Sequence, residues 1–419
     1  MELTENAPAT PVVLTPSAAS KVAEASAYWR KALRLREEPL RLTATSAGEF
    51  LLEARGVAGF IRVDDLNLEI APKFLNRADC GPRWRSAMWR FLAYGYGLEA
   101  LSDAAGNRSS EDGIADVLAE LFLTSLRGAS ARGYPLGYRH MRVNSAFLRG
   151  RLDPKKYGNL LPVSGRLDII AAQLTTDIPT NRLLKWAGNQ LASAVEDAGR
   201  RQRLLAWTAE LPGVQSILPR GPSIPPPQRH HPYLVHAVEI AKLLQEDALA
   251  GYHSGELTVP GFLWDSENLF ERAVRRLFSD ACHSLGFSVI KKRLKLATTS
   301  HKEQEAATFT TPDVTLRQGA NAVFHADVKY KILNEHPVNP DFYQVLAAGR
   351  VSDINTVALV YPSHGSEIGA RCYRPFGTGH PDTVVTITIG LEAFATRREI
   401  ELLREKLKAL VAQWLNPTL

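Results

Sequence analysis

A chain of 419 residues is too long for one ordinary hydrophobic core and implies two or three domains. Apolar residues at 45% and charged residues at 22% exclude a disordered or fibrous chain. The net charge of +6 is compatible with a polyanionic partner without requiring one.

Residues 1–20, rich in Ala, Pro and Thr, read as a disordered tail. A β-rich block follows, with short alternating runs at Leu40–Thr45, Phe50–Glu53, Val57–Val63 and Leu66–Ile70, in the manner of a meander or small barrel. Trp84, Trp89, Phe91 and Leu92 begin helical spacing, and a second helix is predicted from about Ile114 to Leu126. Further β-like stretches span 146–153 and 165–170. Asp177-Ile-Pro-Thr-Asn-Arg-Leu-Leu-Lys185 then opens a helix, with Thr180 or Asn181 as the expected N-cap. Residues 218–232, with six prolines, form the clearest linker, and its His230-His231 pair reads as an exposed loop rather than a metal site.

From Leu263 onward helical spacing at Phe270, Ala273, Val274, Leu277, Phe278 and Ala281 precedes strands at 287–291, 309–316 and 323–331. A helix over 341–351, strands at 356–361 and 384–389, and an amphipathic last helix complete the chain. The fold class is α/β, a mixed sheet flanked by helices in the order α-β-β-β-α-β, preceded by a β-rich N-terminal domain and a helical segment. The predicted divisions are a tail (1–20), a β-rich domain (21–170), a helical connector with the Pro-rich linker (171–255) and the mixed-sheet domain (256–419).

Cys80, Cys282 and Cys372 show no CxxC spacing, so a disulfide framework or zinc ribbon is not expected. The start of the chain lacks the basic and apolar regions of a signal peptide, and no apolar run reaches the roughly 18 residues that span a bilayer. A cytoplasmic protein with no membrane association is expected, and the sequon at Asn107 then carries no meaning.

The chemistry concentrates in Phe324-His-Ala-Asp-Val-Lys-Tyr-Lys331. Alternate side chains of a strand share a face, so Asp327 and Lys329 point the same way. Folding the preceding strand back around Gly319-Ala320 sets Asp313 opposite Ala326 or Asp327. Two carboxylates about 5 Å apart repel by about 3 kcal/mol at an effective dielectric of 20, which a raised pKa, a basic neighbour or a divalent cation must offset. Spacing alone equally allows Asp313 to cap the turn while Asp327 and Lys329 form a solvated ladder.

Pro312-Asp313, followed by Asp327-Val-Lys329, resembles the PD-(D/E)xK nuclease motif. More specifically, the chain resembles the McrC family, nuclease subunits of McrBC-type modification-dependent restriction systems. The matching stretches are collinear: Leu68–Lys73, Asp177–Lys185, Phe262–Glu271, Pro312-Asp313, Asp327–Lys331, Tyr343-Gln344 and Val360–Pro362. Val328 departs from the family, which often has a smaller residue there.

The resemblance implies a Mg²⁺-dependent DNA endonuclease, with Mn²⁺ able to substitute. Asp313, Asp327 and the Val328 carbonyl would hold the metal, and Lys329 would orient the attacking water or neutralise the transition state. Glu271 is a further ligand candidate, directly or through water, or a helix surface charge beside Arg275. Gln344 sits near the site or is a core-edge amide. Lys291–Lys295 tracks DNA phosphate or is a solvated strand end. No Gly-x-x-x-x-Gly-Lys-Ser/Thr occurs, so the resemblance also implies a separate AAA+ GTPase partner of McrB type, engaged through the N-terminal β-rich domain of roughly residues 21–170. Two alternatives remain: a non-catalytic adapter that activates a motor, and a stand-alone DNA-processing nuclease.

Overall fold

The computed structural model describes all residues except 47–48, 64–65, 76–77, 79–80, 99–112, 154–165, 212, 216–230, 247–260, 302–303, 377–378, 380 and 416–419. The chain divides into two units: residues 1–114 with 250–419, and residues 115–249.

The first unit opens with β1 (Glu2–Thr4), β2 (Thr10–Val13) and α1 (Pro16–Ala32). The disordered tail expected over residues 1–20 is therefore corrected. Leu3, Val12 and Leu14 are buried, and β1 pairs in parallel with a later strand, so a few well-spaced apolar side chains outweigh the Ala/Pro/Thr composition. Thr15 caps α1 by accepting from the Ala18 N–H. Strands β3 (Leu40–Ser46), β4 (Glu49–Ala54), β5 (Val57–Val63) and β6 (Leu66–Ala71) fall where alternation placed them. They form two sheets rather than one meander or barrel: β2-β4-β3, and β1-β6-β5 with a fourth strand from much later in the chain. Helix α2 (Trp84–Tyr96) buries Trp84, Trp89, Phe91 and Leu92 and ends on Gly97 in the left-handed conformation.

The second unit holds α3 (Ile114–Arg132), β7 (Gly137–Ser145), β8 (Arg151–Leu152), β9 (Leu167–Thr175), α4 (Pro179–Ala194), α5 (Ala198–Ala209) and α6 (Val235–Glu246). Its strands form a sheet in the order β7-β9-β8. Phe122 and Trp207 meet edge-to-face at 5.5 Å in its core. The N-cap of α4 is Ile178, not Thr180 or Asn181. Both of those lie inside the helix and are buried, and the Asn181 amide donates to the carbonyls of Pro135 and Thr176 at 2.9 and 2.7 Å. Asp177 instead pairs with Arg182 and Arg139, and the Arg182 hydrogen bond holds its carboxyl down at about 2. Most of the Pro-rich linker, with His230, lies outside the described residues, and His231 lies 2.7 Å from the Tyr233 hydroxyl.

The chain returns to the first unit with β10 (Gly261–Asp265), which pairs antiparallel with β5 and completes its sheet. The approach is close: a Cβ on Gly59 would stand 1.9 Å from the Phe262 carbonyl oxygen. This pairing corrects the division at residues 21–170 and 256–419. Phe262, Leu263 and Trp264 are core residues of the N-terminal sheet, and no sequence-local signal reveals a partner strand so distant.

Asp265 then caps α7 (Ser266–Cys282) by accepting from the N–H groups of Glu267 and Asn268. The remaining elements are β11 (Ser288–Ile290), β12 (Leu294–His301), β13 (Gln304–Thr310), β14 (Val314–Gln318), β15 (Asn321–Val328), α8 (Asn339–Ser352), β16 (Thr356–Ser363), β17 (Ile368–Tyr373), β18 (Thr383–Gly390) and α9 (Arg397–Leu415). A six-stranded mixed sheet runs β11-β14-β15-β16-β18-β17, with β15-β16-β18 parallel. The single strand expected over 309–316 is in fact the end of the β12-β13 hairpin and the start of β14, broken at Thr311-Pro312-Asp313. The turn at Gly319-Ala320 forms as expected, with Gly319 at φ 61° and Val314 opposite Ala326.

Helices cover both faces of this sheet. Phe324 packs against Phe278 of α7 and stacks on Trp414 of α9 at 6.2 Å. On the other face Val345 of α8 joins Val357, Leu359, Tyr361 and Val384 in one cluster. Among the described residues no helix is long and apolar enough to cross a membrane, and Cys282 and Cys372 are free.

Candidate active site

The sheet order β11-β14-β15-β16 brings together residues that are far apart in sequence. Asp313 immediately precedes β14, Asp327 and Val328 end β15, and Lys329 follows. Gln344 comes from α8 and Glu271 from α7. All six residues singled out in the sequence lie in or beside one cluster.

Asp313 and Asp327 are both buried. One oxygen of Asp313, Oδ2, accepts from the Val328 backbone N–H at 3.0 Å, and Oδ1 accepts from Lys291 Nζ at 3.1 Å. Asp327, Lys329 and Gln344 close a triangle. Lys329 Nζ lies 2.6 Å from Asp327 Oδ2 and donates to Gln344 Oε1 at 3.0 Å, while Gln344 Nε2 donates to Asp327 Oδ1 at 3.2 Å. Despite the short ion pair, Asp327 Oδ2 is buried and accepts no aligned hydrogen bond. Asp327 and Lys329 thus pair as the ladder reading expected, but with the carboxylate buried rather than solvated.

Burial pushes the Asp327 carboxyl up to about 6, against the pull of Lys329, with smaller contributions from Asp313 and Asp341. Burial also disfavours the Lys329 ammonium, but Asp327 beside it holds its pKa above the ordinary value. The Asp327 carboxylate thus favours the charged form of Lys329.

Glu271 reaches the cluster through Lys291, whose ammonium lies 3.3 Å from Glu271 Oε2. Burial, followed by repulsion from Asp313, raises the Glu271 carboxyl. Arg275 lies 3.7 Å from Glu271 and donates to the Asp313 backbone carbonyl at 2.9 Å. Asp341, at the start of α8, pairs with Lys331 at 2.7 Å and accepts from the Tyr361 hydroxyl at 3.0 Å. Sequence reasoning gave no role to Asp341 or Tyr361, and named Arg275 only as the neighbour of Glu271, which it does pair with. It read Lys291 only as one of a basic run, because the strand break that turns it toward Asp313 is not a local signal. A cavity of about 600 Å³ beside the cluster is lined by Glu271, Arg272, Arg275, Arg276 and Lys291.

Among the described residues no three His, Cys, Asp or Glu side chains converge as a metal-binding group. Asp313 and Asp327 alone form a two-carboxylate, hard-oxygen donor set. That suits Mg²⁺, which commonly binds through one or two carboxylates while keeping several waters. Asp327 Oδ2, 2.6 Å from the Lys329 ammonium, is the oxygen for which such an ion would compete.

Comparison with solved structures places this fold in a defined class. A chain of the refined half-complex from the tetradecameric assembly of Thermococcus gammatolerans McrB AAA+ hexamers with bound McrC aligns at TM-score 0.61. The alignment covers 98% of this chain and 99% of that one at 18% identity, so the likeness is one of fold. A chain of the Thermococcus gammatolerans McrBC complex aligns at TM-score 0.45 and 19% identity over 66% of this chain and 86% of that one, too loosely to carry an argument. No curated relative matches by sequence. The model of the McrBC 5-methylcytosine restriction system component family matches residues 52–362, and the chain belongs to that family.

Proposed function

We propose that this chain is the Mg²⁺-dependent DNA endonuclease subunit of a McrBC-type restriction system, built on a PD-(D/E)xK core. The observation that carries the reading is the closed Asp327–Lys329–Gln344 triangle, with buried Asp313 tied to the Val328 N–H beside it. Asp313 and Asp327 would hold the ion, with the Val328 carbonyl and waters completing its shell, and Glu271 would act through water. When bound, Mg²⁺ lowers the pKa of a coordinated water and offsets charge on the scissile phosphate. Lys329, kept protonated by Asp327 and aimed by Gln344, places a fixed positive charge where the pentavalent transition state gains negative charge. Arg272, Arg275, Arg276 and Lys291 line a groove whose charge suits the flanking backbone phosphates.

The partner in this reading is a separate AAA+ GTPase, as the relative of similar fold is bound to McrB AAA+ hexamers. The docking surface we assign is the β7-β9 ribbon of the second unit and not the N-terminal sheets. Tyr138 and Leu174 are cross-strand partners there, 77% and 56% exposed, and Phe147 and Leu148 beyond β7 are 68% and 59% exposed. Large exposed apolar side chains at both ends of one ribbon suit a protein interface.

The test is cleavage of 5-methylcytosine-containing DNA by the chain with its partner and GTP. Mg²⁺ or Mn²⁺ should support cutting, whereas Ca²⁺ should bind without turnover. Asp327→Asn should reduce cleavage by orders of magnitude, on the order of 10³-fold, while partner GTP hydrolysis continues. Undiminished cutting in excess EDTA, or by Asp327→Asn, would refute the nuclease centre and leave the adapter reading in place.

A further inference from the structure

Lys329 lies just beyond the last ladder residue of β15, where strand pairing no longer fixes the chain. Its N–H still donates to the Val360 carbonyl at 2.8 Å. The next residue, Tyr330, is gripped from several directions. Its carbonyl accepts from Lys73 Nζ at 2.8 Å, and its hydroxyl donates to Glu5 Oε2 at 2.9 Å. The Lys73 ammonium stands 4.3 Å from the Tyr330 ring centroid. The Lys73 backbone N–H donates to the same Glu5 oxygen at 3.2 Å. Phe74 meets the ring edge-on at 5.4 Å, and Phe270, the neighbour of Glu271, lies 5.7 Å from it.

Apart from Phe270 of α7, these groups adjoin the N-terminal sheet: Glu5 follows β1, and Lys73 and Phe74 follow β6 through Pro72. The Leu68–Lys73 stretch has no part in the proposed chemistry; Glu5 and Lys73 engage Tyr330, the residue after Lys329. Glu5 is almost completely buried, and burial pushes its carboxyl up to about 7 against the pull of Lys73. Buried polar networks of this kind add little net stability compared with apolar packing of the same volume. Their value lies in fixing one geometry, and a reacting side chain must be held to within about 0.5 Å.

We propose that Lys73 is a positioning residue for Lys329: with Glu5 it clamps both ends of Tyr330 and so fixes the backbone from which the Lys329 ammonium reaches Asp327. The functional part of this proposal rests on the nuclease reading; the clamp itself does not.

The experiment compares the full chain, with its partner, as wild type, Lys73→Arg, Lys73→Met and the double variant Glu5→Gln/Lys73→Met, which removes both buried charges. DNA cleavage gives kcat and KM, and hydrogen–deuterium exchange reports the amides of residues 329–333. In the two Met-containing variants kcat should fall about tenfold to hundredfold with KM changed by less than about threefold. Lys73→Arg should recover most of kcat. Exchange at 329–333 should rise about tenfold in the double variant while its melting temperature stays within a few degrees. Wild-type kcat or unchanged exchange in the double variant overturns the proposal. So does a kcat that falls together with melting temperature and is not recovered by Lys73→Arg. If the wild type cuts no DNA, the nuclease reading fails, and the exchange result alone then decides whether the clamp exists.

Discussion

Strands β15 and β7 are built from similarly mixed sequence, yet their surroundings are opposite. Residues 324–328 are buried on both sides, with Phe324, Ala326 and Val328 facing one helical layer and His325 and Asp327 facing α8. Every residue of β7 is exposed or half-exposed. Strand propensity does not separate them; coverage does. Where helices close over a strand, burial raises a carboxyl, and the ammonium beside it persists only because that carboxylate is its partner. Where nothing among the described residues covers a strand, its apolar side chains remain available to another protein. In the proposed reading, chemistry and assembly fall to different units of the chain.

The contrast is broken most severely at the buried strand. Phe324→Ala should cost about 3–5 kcal/mol in denaturant unfolding, because Phe278 and Trp414 cannot close the void. Phe147→Ala on the second unit should stay within about 0.5 kcal/mol. Equal costs would mean that the ribbon is covered in the free protein.

A second test is pH. The native Asp327 carboxyl sits at about 6, above its ordinary 3.8, so the native state holds the proton more tightly than the unfolded chain. The stability it contributes is complete below about 3.8 and is lost as pH rises through 6, on the order of 3 kcal/mol. Glu5, raised from 4.5 to about 7, acts in the same direction. In EDTA the protein should therefore unfold at lower urea concentration at pH 8 than at pH 5, and Asp327→Asn should flatten part of that slope. Stability that climbs from pH 5 to pH 8 contradicts the buried-acid account. Added Mg²⁺ should restore stability at pH 8, because it binds the deprotonated pair.

The smallest effect is expected at the ribbon, and only on association. Tyr138→Ser with Leu174→Ser should weaken partner binding about tenfold or more, measured by titration, with the melting temperature unchanged. Full affinity in that variant would move the interface elsewhere.

Much of the candidate site was legible because its signals are local. Period-two alternation put Asp327 and Lys329 on one face, and Gly319 marked the turn that brings Val314 opposite Ala326, one position from Asp313. What the sequence hid was of three kinds. The β12-β13 hairpin was missed because Phe309-Thr-Thr-Pro312 reads through as one strand until proline breaks the ladder. Glu5 and Lys73 were invisible as neighbours of Tyr330 because nothing near them encodes contacts across 325 and 257 positions. The domain boundaries failed because the partner of β5 is β10, on the far side of a separately packed unit.

That last pairing bears on how the chain is made. As it leaves the ribosome, β5 emerges with Val57, Ile61 and Val63 formed but no strand for one of its edges. Its complement, Gly261–Asp265, is translated about 200 residues later, roughly 10 to 40 s at ordinary elongation rates. For that interval the nascent chain carries an open, apolar sheet edge, the feature most prone to mispairing with other chains. Slowed translation between residues 115 and 249, or chaperone depletion, would therefore lower the yield of native protein without altering a single contact of the finished fold.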